Sequence, residues 1–436
     1  MRLLIISDAP VLTRNGKKEA YAPYVREMDL WMKYVDHTTF ICPTIYHKPL
    51  LTQPFAKQDF TVNSLRRLEF HTFFNAIRSL CNVPYQFVML CLAFAKADQI
   101  HLRCPGNLAL LACIAQMFFP SKTKSAKYAG NWDPKATQPL AYRLQKKILS
   151  NERWTKNIKV LVYGQWPNQS NNIIPFFTAS YHEKDKKPII ERNYTGALKA
   201  VYVGTLSDNK RPLQVLEMVH ELRKSEIDIS LDLYGDGPLK ETVIKRIKEL
   251  DMTSGVTVHG NQPLEVVTQA YKTAHFSFLL SKSEGWPKAV AEAMFWGCIP
   301  IASKVSCVPW MLGFENFQIP NPKSQIPNDS RTSNASSSSS SSSILKETYP
   351  LGLGKGFGNV SSSTVENDFM EYPALENKSR GILIDDLSRA TATIQVYLQE
   401  PDQLDEMSQQ ASKWSQQYTL DEFEKAIQEL LRDSCS

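Results

Sequence analysis

Two glutamates eight positions apart, Glu284 and Glu292, have the residue type and spacing to act on one ligand. They stand in the stretch Ser283-Glu284-Gly285-Trp286-Pro287-Lys288-Ala289-Val290-Ala291-Glu292-Ala293-Met294-Phe295-Trp296-Gly297. An ionised carboxylate only accepts hydrogen bonds, so two of them suit the vicinal hydroxyls of a ribose or a hexose. Glycoside hydrolases also use paired carboxylates, one as a nucleophile; here the pair is assigned to hydroxyl binding. Pro287 suits the first turn of a helix and Gly297 its end, which places Glu284 on a loop and Glu292 on the helix. Amides at that helix start can receive a pyrophosphate, and Gly285 lets a ligand approach the backbone closely. The bland alternative is an ordinary helix with one solvated glutamate.

The elements around the pair agree with a ligand site. Residues 276–280 and 299–303 are apolar runs that read as buried strands. The glutamates then lie at a strand's C-terminal end, where open α/β sheets bind ligands. A second loop is of the same kind: the strand Ala200-Val201-Tyr202-Val203-Gly204 leads through Thr205 to Lys210, Arg211 and a helix opening at Pro212. Cations at a helix start oppose its dipole and ask for a reason. Carboxylates beside a dianionic pyrophosphate supply one, because like charges need a cation between them. A solvated basic pair is the alternative. Strand 229–234 ends in the turn Gly235-Asp236-Gly237-Pro238, and strand 256–260 ends at Gly260.

The first half alternates short apolar strands (residues 3–7, 38–42, 99–103, 126–129 and 160–163) with helices such as 21–34 and 108–118. This βα repeat predicts a parallel sheet. After the first strand, a loop with Gly16 and the cations Arg14, Lys17 and Lys18 precedes a helix. His101 and Arg103 lie near the end of the third strand, where Arg103 could hold an anionic group. Asn131, Trp132 and Asp133 follow the fourth, where Asp133 could orient a hydroxyl. Each has a structural alternative: a surface loop, a hydrogen-bonded histidine, and a turn at Asp133-Pro134.

The run Ser-Glu-Gly-Trp-Pro-Lys-Ala-Val-Ala-Glu-Ala-Met, with its Glu-x7-Glu spacing, resembles the retaining glycosyltransferases of the GT-B fold, and within them glycosyltransferase family 4. The resemblance covers most of 200–435 and, more loosely, 1–180. It implies an α/β protein with two Rossmann-like domains whose parallel sheets face an interdomain cleft. The domains would be 1–181, a linker at 182–198, and 199–415 with a serine-rich insertion at 313–378; a helix in 416–436 would return to the first. The implied activity is transfer of a sugar from a nucleotide-diphosphate sugar to an acceptor hydroxyl with retention. Glu284, Lys210 and Arg211 would be catalytic, and Glu292, Gly204, Gly285, Trp286, Pro287, Lys288 and Gly260 would bind the donor. Gly16, His101, Arg103 and Asp133 would lie on the acceptor side. Three places depart from the family's pattern, the first being the loop after the opening strand, which has only Gly16 where paired glycines are frequent. Thr205 stands where an arginine is usual, leaving that contact to Arg211, and Asn131, Trp132 and Asp133 stand where a histidine is common. No cofactor or metal is implied, the donor being a substrate. The implied acceptor is a saccharide or lipid-linked saccharide of a bacterial surface polysaccharide. A nucleotide-sugar epimerase and a non-catalytic nucleotide-sugar-binding protein are the rival readings.

Composition sets the bounds. A chain of 436 residues with 43% hydrophobic and 22% charged residues is globular and long enough for two to three domains. A net charge of +6 without a concentrated basic stripe is no nucleic-acid footprint, yet it tolerates peripheral contact with an inner-membrane face. Eight cysteines without metal-ligand spacing argue for free thiols. The start reads as a strand rather than a signal peptide, so a cytoplasmic location is expected. The longest apolar runs, 87–95 and 108–119, fall short of the ~20 residues that span a bilayer, and no transmembrane helix is expected.

Overall fold

The first strand, Arg2–Ser7, buries its last five residues without a break. Unbroken burial is what a parallel strand covered on both faces requires. The computed structural model describes residues 1–47, 50–314 and 379–432. In it this strand pairs in parallel with His37–Cys42 on one side and Gln99–Cys104 on the other. Among the described residues the sheet has seven strands in the order Ile173–Phe176, Ile158–Tyr163, Thr123–Tyr128, Gln99–Cys104, Arg2–Ser7, His37–Cys42 and Thr61–Ser64. A second, six-stranded parallel sheet has the order Val256–Gly260, Ile229–Tyr234, Leu198–Val203, Phe276–Leu279, Ile299–Ser303 and Ile382–Ile384.

Counted along the chain within each sheet, the strands of the second run 3-2-1-4-5-6, and the first repeats that order with one strand more. This is the doubly wound Rossmann order. In both sheets the winding reverses between the first and fourth strands, so a crevice opens there at the strands' C-terminal ends. In the second sheet, the strands flanking it lead into the Lys210 loop and the Glu284 loop. In the first, they lead into Asp8 and into Pro105-Gly106.

The helix carrying Glu292, Lys288–Phe295, is held from outside by helix Pro401–Ser415. The Ser415 hydroxyl donates to the Ala291 carbonyl (2.6 Å) and the Ser412 hydroxyl to that of Phe295 (3.1 Å). The last helix, Leu420–Arg432, lies against the first sheet's side of the molecule. Phe423 meets Phe176 at 5.4 Å between ring centroids, and Glu424 pairs with Lys33 at 2.5 Å.

Several expectations need correction. The loop around Gly16 is a β-hairpin joining Leu12–Arg14 to Lys17–Tyr21, with Asn15 and Gly16 both left-handed (φ 48° and 74°). Asn-Gly is the dipeptide that favours such a turn. Pro287 caps helix Lys288–Phe295 rather than entering it. The run 87–95 belongs to a longer helix, Phe73–Lys96, of 24 residues, which is long and apolar enough to cross a membrane. The sequence reading stopped short because Arg78, Asn82, Pro84 and Gln86 interrupt the apolar run. The serine-rich insertion, apart from Gly313 and Phe314, lies outside the described residues.

Candidate active site

The loop after strand Leu198–Val203 is shaped by its own backbone. The amides of Lys210 and Arg211 both donate to the Ser207 carbonyl at 3.0 Å, and Arg211 caps helix Pro212–Lys224 in a left-handed conformation (φ 53°). The neighbouring strand end fits closely: a Cβ on Gly235 would stand 2.0 Å from the Gly204 carbonyl oxygen, so only glycine fits. Gly204 itself donates its amide to the Tyr234 carbonyl (2.9 Å). Across the crevice lies the loop of Glu284. Lys210 Nζ stands 2.5 Å from Glu284 Oε1, joining side chains 24% and 9% exposed. Two more bonds latch the loops: Asn209 Nδ2 donates to the Ser283 carbonyl (3.0 Å), and the Lys282 amide donates to that of Asn209 (2.8 Å). Arg211 has no ion-pair partner among the described residues.

Glu292 takes a different partner. The Ser180 hydroxyl donates to its Oε1 at 2.5 Å. Burial raises the Glu292 carboxyl above the usual range; the Ser180 bond, Lys288 and Arg26 pull the other way. Burial likewise lowers the Lys288 ammonium, against the attraction of Glu292 and Glu27. Lys288 is thus acted on by carboxylates from both halves of the chain.

The helix start is less open to an anion than its sequence suggests. The Lys288 amide donates to the Trp286 carbonyl (2.9 Å), and the amides of Val290 and Ala291 donate to that of Pro287 (3.0 and 3.2 Å). Pro287 is buried and has no amide hydrogen to offer. Trp286 is buried too, with Tyr163 at 5.8 Å, Tyr418 at 5.8 Å and Trp414 stacked at 6.5 Å. It is a packing residue that joins the two halves, not a donor contact. The open side of Gly285 is also filled, since a Cβ there would lie 2.6 Å from the Ala129 carbonyl oxygen. The backbone of the first half occupies the approach reserved for a ligand. Gly260, left-handed at φ 69°, accepts from the Gly235 amide (2.8 Å), and a Cβ there would meet the Lys240 ammonium at 3.9 Å.

On the acceptor side the structure withdraws most of the candidates. His101 is fully buried, 4.1 Å from the Trp31 ring and 2.9 Å from the Ser125 hydroxyl, and burial lowers its pKa to about 3. It is a neutral core residue that no acceptor reaches. Arg103 is paired with Glu27 at 2.5 Å, and Lys127 Nζ stands 3.0 Å from the same oxygen. Burial alone would raise the Glu27 carboxyl, but the two cations hold it down to about 2. Arg103 thus already has a carboxylate partner, which it shares with Lys127. Asp133 accepts from the Lys135 amide at 2.8 Å, a turn-forming bond that favours its structural reading. Gly16 sits at the hairpin tip with nothing within 4 Å of an added Cβ.

Sequence reasoning missed Ser180, Arg26, Glu27 and Lys127. Ser180 stood next to the charged connector and carried no signal, while Glu27 looked like one of many helix carboxylates. Only the fold brings it to Arg103, 76 positions away. Among the described residues, no group of three or more His, Cys, Asp or Glu could hold a metal ion.

Comparison with known proteins bears on this geometry. Residues 183–314, which contain Lys210, Glu284 and Glu292, match the family of glycosyl transferases group 1. No curated protein matches the chain in sequence. Solved structures share the fold over almost the whole length. A sucrose-phosphate synthase from Thermosynechococcus elongatus has a TM-score of 0.55 at 15% identity, covering 99% of this chain and 98% of its own. Anabaena HepE, solved with UDP and glucose, has a TM-score of 0.57 at 10% identity, covering 99% of each chain. A glycosyltransferase from Rickettsia africae has a TM-score of 0.58 at 10% identity, covering 100% of this chain and 98% of its own.

Proposed function

Taking the chain as a glycosyltransferase of the GT-B fold with a group 1 domain, we propose that it moves a sugar from a nucleotide-diphosphate sugar to an acceptor hydroxyl with retention at the anomeric carbon. The observation that carries this reading is the Lys210–Glu284 pair, 2.5 Å apart at the second sheet's crevice. A cation and a carboxylate at one point suit a ligand whose phosphate adjoins a hydroxylated ring. Lys210 and Arg211 take the diphosphate, Glu284 takes the sugar hydroxyls, and Glu292 with Ser180 takes the ribose hydroxyls.

In the transfer, the bond from the anomeric carbon to the diphosphate oxygen breaks and one to the acceptor oxygen forms. The acceptor's hydroxyl proton goes to the departing phosphate. Charge builds on the leaving group, and fixed cations that meet it there lower the barrier. These side chains offset that charge themselves, so the reading includes no metal step. The solved complex of HepE with UDP and glucose supports a nucleotide-sugar donor by analogy of fold. Within group 1 we assign the chain to family 4, with a saccharide or lipid-linked saccharide of a bacterial surface polysaccharide as acceptor. Its place would be the cytoplasm, at the inner membrane face.

Ligand-observed NMR over a panel of nucleotide sugars, with wild type and Glu292→Ala in parallel, tests the proposal. One donor should bind and hydrolyse slowly, and the substitution should weaken both signals. If no nucleotide sugar binds the wild type, the proposal fails.

A further inference from the structure

Helix Phe73–Lys96 turns an apolar face away from the protein. Phe74, Ile77, Cys81, Tyr85, Val88 and Leu92 are all exposed and recur at steps of three and four, which puts them on one stripe along the helix. Phe74 is 81% exposed, and Phe73 beside it 75%. The opposite face is anchored. Leu90 and Phe94 enter the core of the first sheet, Gln86 Nε2 donates to the Arg66 carbonyl (2.8 Å), and the Ser79 hydroxyl donates to that of Glu69 (2.9 Å).

Charge singles out what covers the stripe. No carboxylate occurs from Phe70 to Ala97, where Arg78 and Lys96 are exposed on the helix; the exposed Arg66 and Arg67 stand before it with Glu69, and Asp98 follows it. A protein partner that left by exchange with water would be matched by mixed charges along the helix; here the helix itself carries cations and no carboxylate. Apolar side chains with cations at their edges fit the boundary between acyl chains and anionic headgroups, where arginine and lysine reach outwards to the phosphates. The anchored face decides the orientation. A helix crossing the bilayer would have to leave the core that Leu90 and Phe94 fill, so this one lies along the surface, over a length of roughly 36 Å.

We propose that the stripe of Phe73–Lys96 is a docking surface for an anionic phospholipid bilayer, on which the protein rests with this helix parallel to the membrane plane. This deepens the membrane-side acceptor proposed above, because it names the surface that would bring the cleft to a lipid-linked saccharide.

Co-sedimentation of the full chain with vesicles, without donor, tests it. Wild type should pellet with vesicles of mixed phosphatidylglycerol and phosphatidylcholine, and less with phosphatidylcholine alone. The double variant Phe74→Asp, Val88→Asp should partition at least about tenfold less into the anionic vesicles, since each change replaces an apolar side chain that the bilayer would bury with a charge. Both side chains are exposed, so the variant's melting temperature should match wild type and show that it folds. Wild type that stays in solution with anionic vesicles overturns the proposal, as does a variant that binds like wild type. A wild-type dimer that the same variant converts to monomer gives the stripe to a second copy instead and also overturns it. Nucleotide-sugar binding in vesicle-free samples separates the two readings: intact donor binding without vesicle binding sinks the docking surface alone.

Discussion

The same reversal of strand order occurs twice in this molecule, and its two crevices are finished in opposite ways. In the first sheet, Asp8 fills the crevice. Its carboxylate oxygens accept from the amides of Leu108 (3.3 Å) and Ala109 (3.2 Å) at the start of helix Asn107–Ala115. A Cβ on Gly106 would fall 1.9 Å from it, so the packing is tight. Burial raises the Asp8 carboxyl, and those two amide bonds act against that shift. The chain's own anion occupies the place where a phosphate would bind. In the second sheet, the crevice holds Lys210, Arg211 and Glu284, and its cation reaches the ligand side. One doubly wound sheet is closed and structural, and the other is where we propose that a diphosphate binds.

The charges behind each crevice follow the same division. Glu27, Arg103 and Lys127 form a sealed cluster, with Lys127 fully buried and 4.7 Å from the centre of the Phe423 ring. Lys210 and Glu284 form a single pair at the rim. Removing one member of a buried cluster leaves charge uncompensated, so Glu27→Ala should have the largest effect, costing about 3–5 kcal/mol in denaturant unfolding. A variant as stable as wild type would erase the distinction between the two regions.

Acid should separate them next. Glu27 is held at about 2, below its ordinary 4.5, so its contribution is present above about pH 4.5 and lost as pH falls through 2. That amounts to roughly 3 kcal/mol, using 1.36 kcal/mol for each pKa unit. Stability measured from pH 5 to pH 2 should fall more steeply in wild type than in Glu27→Gln; parallel curves would contradict the assignment.

Asp8→Ala removes a cap and should cost about 1 kcal/mol, within the range of roughly 0.5–2 for such changes, read as a lower melting temperature. Gly16→Ala should have the smallest effect, about 1 kcal/mol or less from its left-handed backbone, with donor binding unchanged. A large loss of donor binding in Gly16→Ala would return the hairpin to the site.

Much of this division was legible in the sequence, but unevenly. The alternating apolar runs marked the central strands of both sheets. The Glu-x7-Glu stretch and the Lys210 loop marked the open crevice, because their charged side chains lie on short, contiguous loops at strand ends. The closed crevice left no such mark. Asp8 reads as the polar end of a strand, and its partners lie about a hundred positions on. His101 and Trp286 misled for a related reason: residue type suggests function, whereas burial, which only the fold decides, makes both of them core. Helix Phe73–Lys96 was missed because Arg78, Asn82, Pro84 and Gln86 break its apolar residues into runs too short to read as one element.

The most direct test is calorimetric titration of the donor that binds best into wild type, Lys210→Met and Asp8→Asn. The account predicts that Lys210→Met weakens binding by at least about tenfold, the scale of one lost charge-assisted hydrogen bond, while Asp8→Asn binds as wild type does. Donor binding that survives Lys210→Met and is lost in Asp8→Asn would contradict it and move the diphosphate to the other sheet.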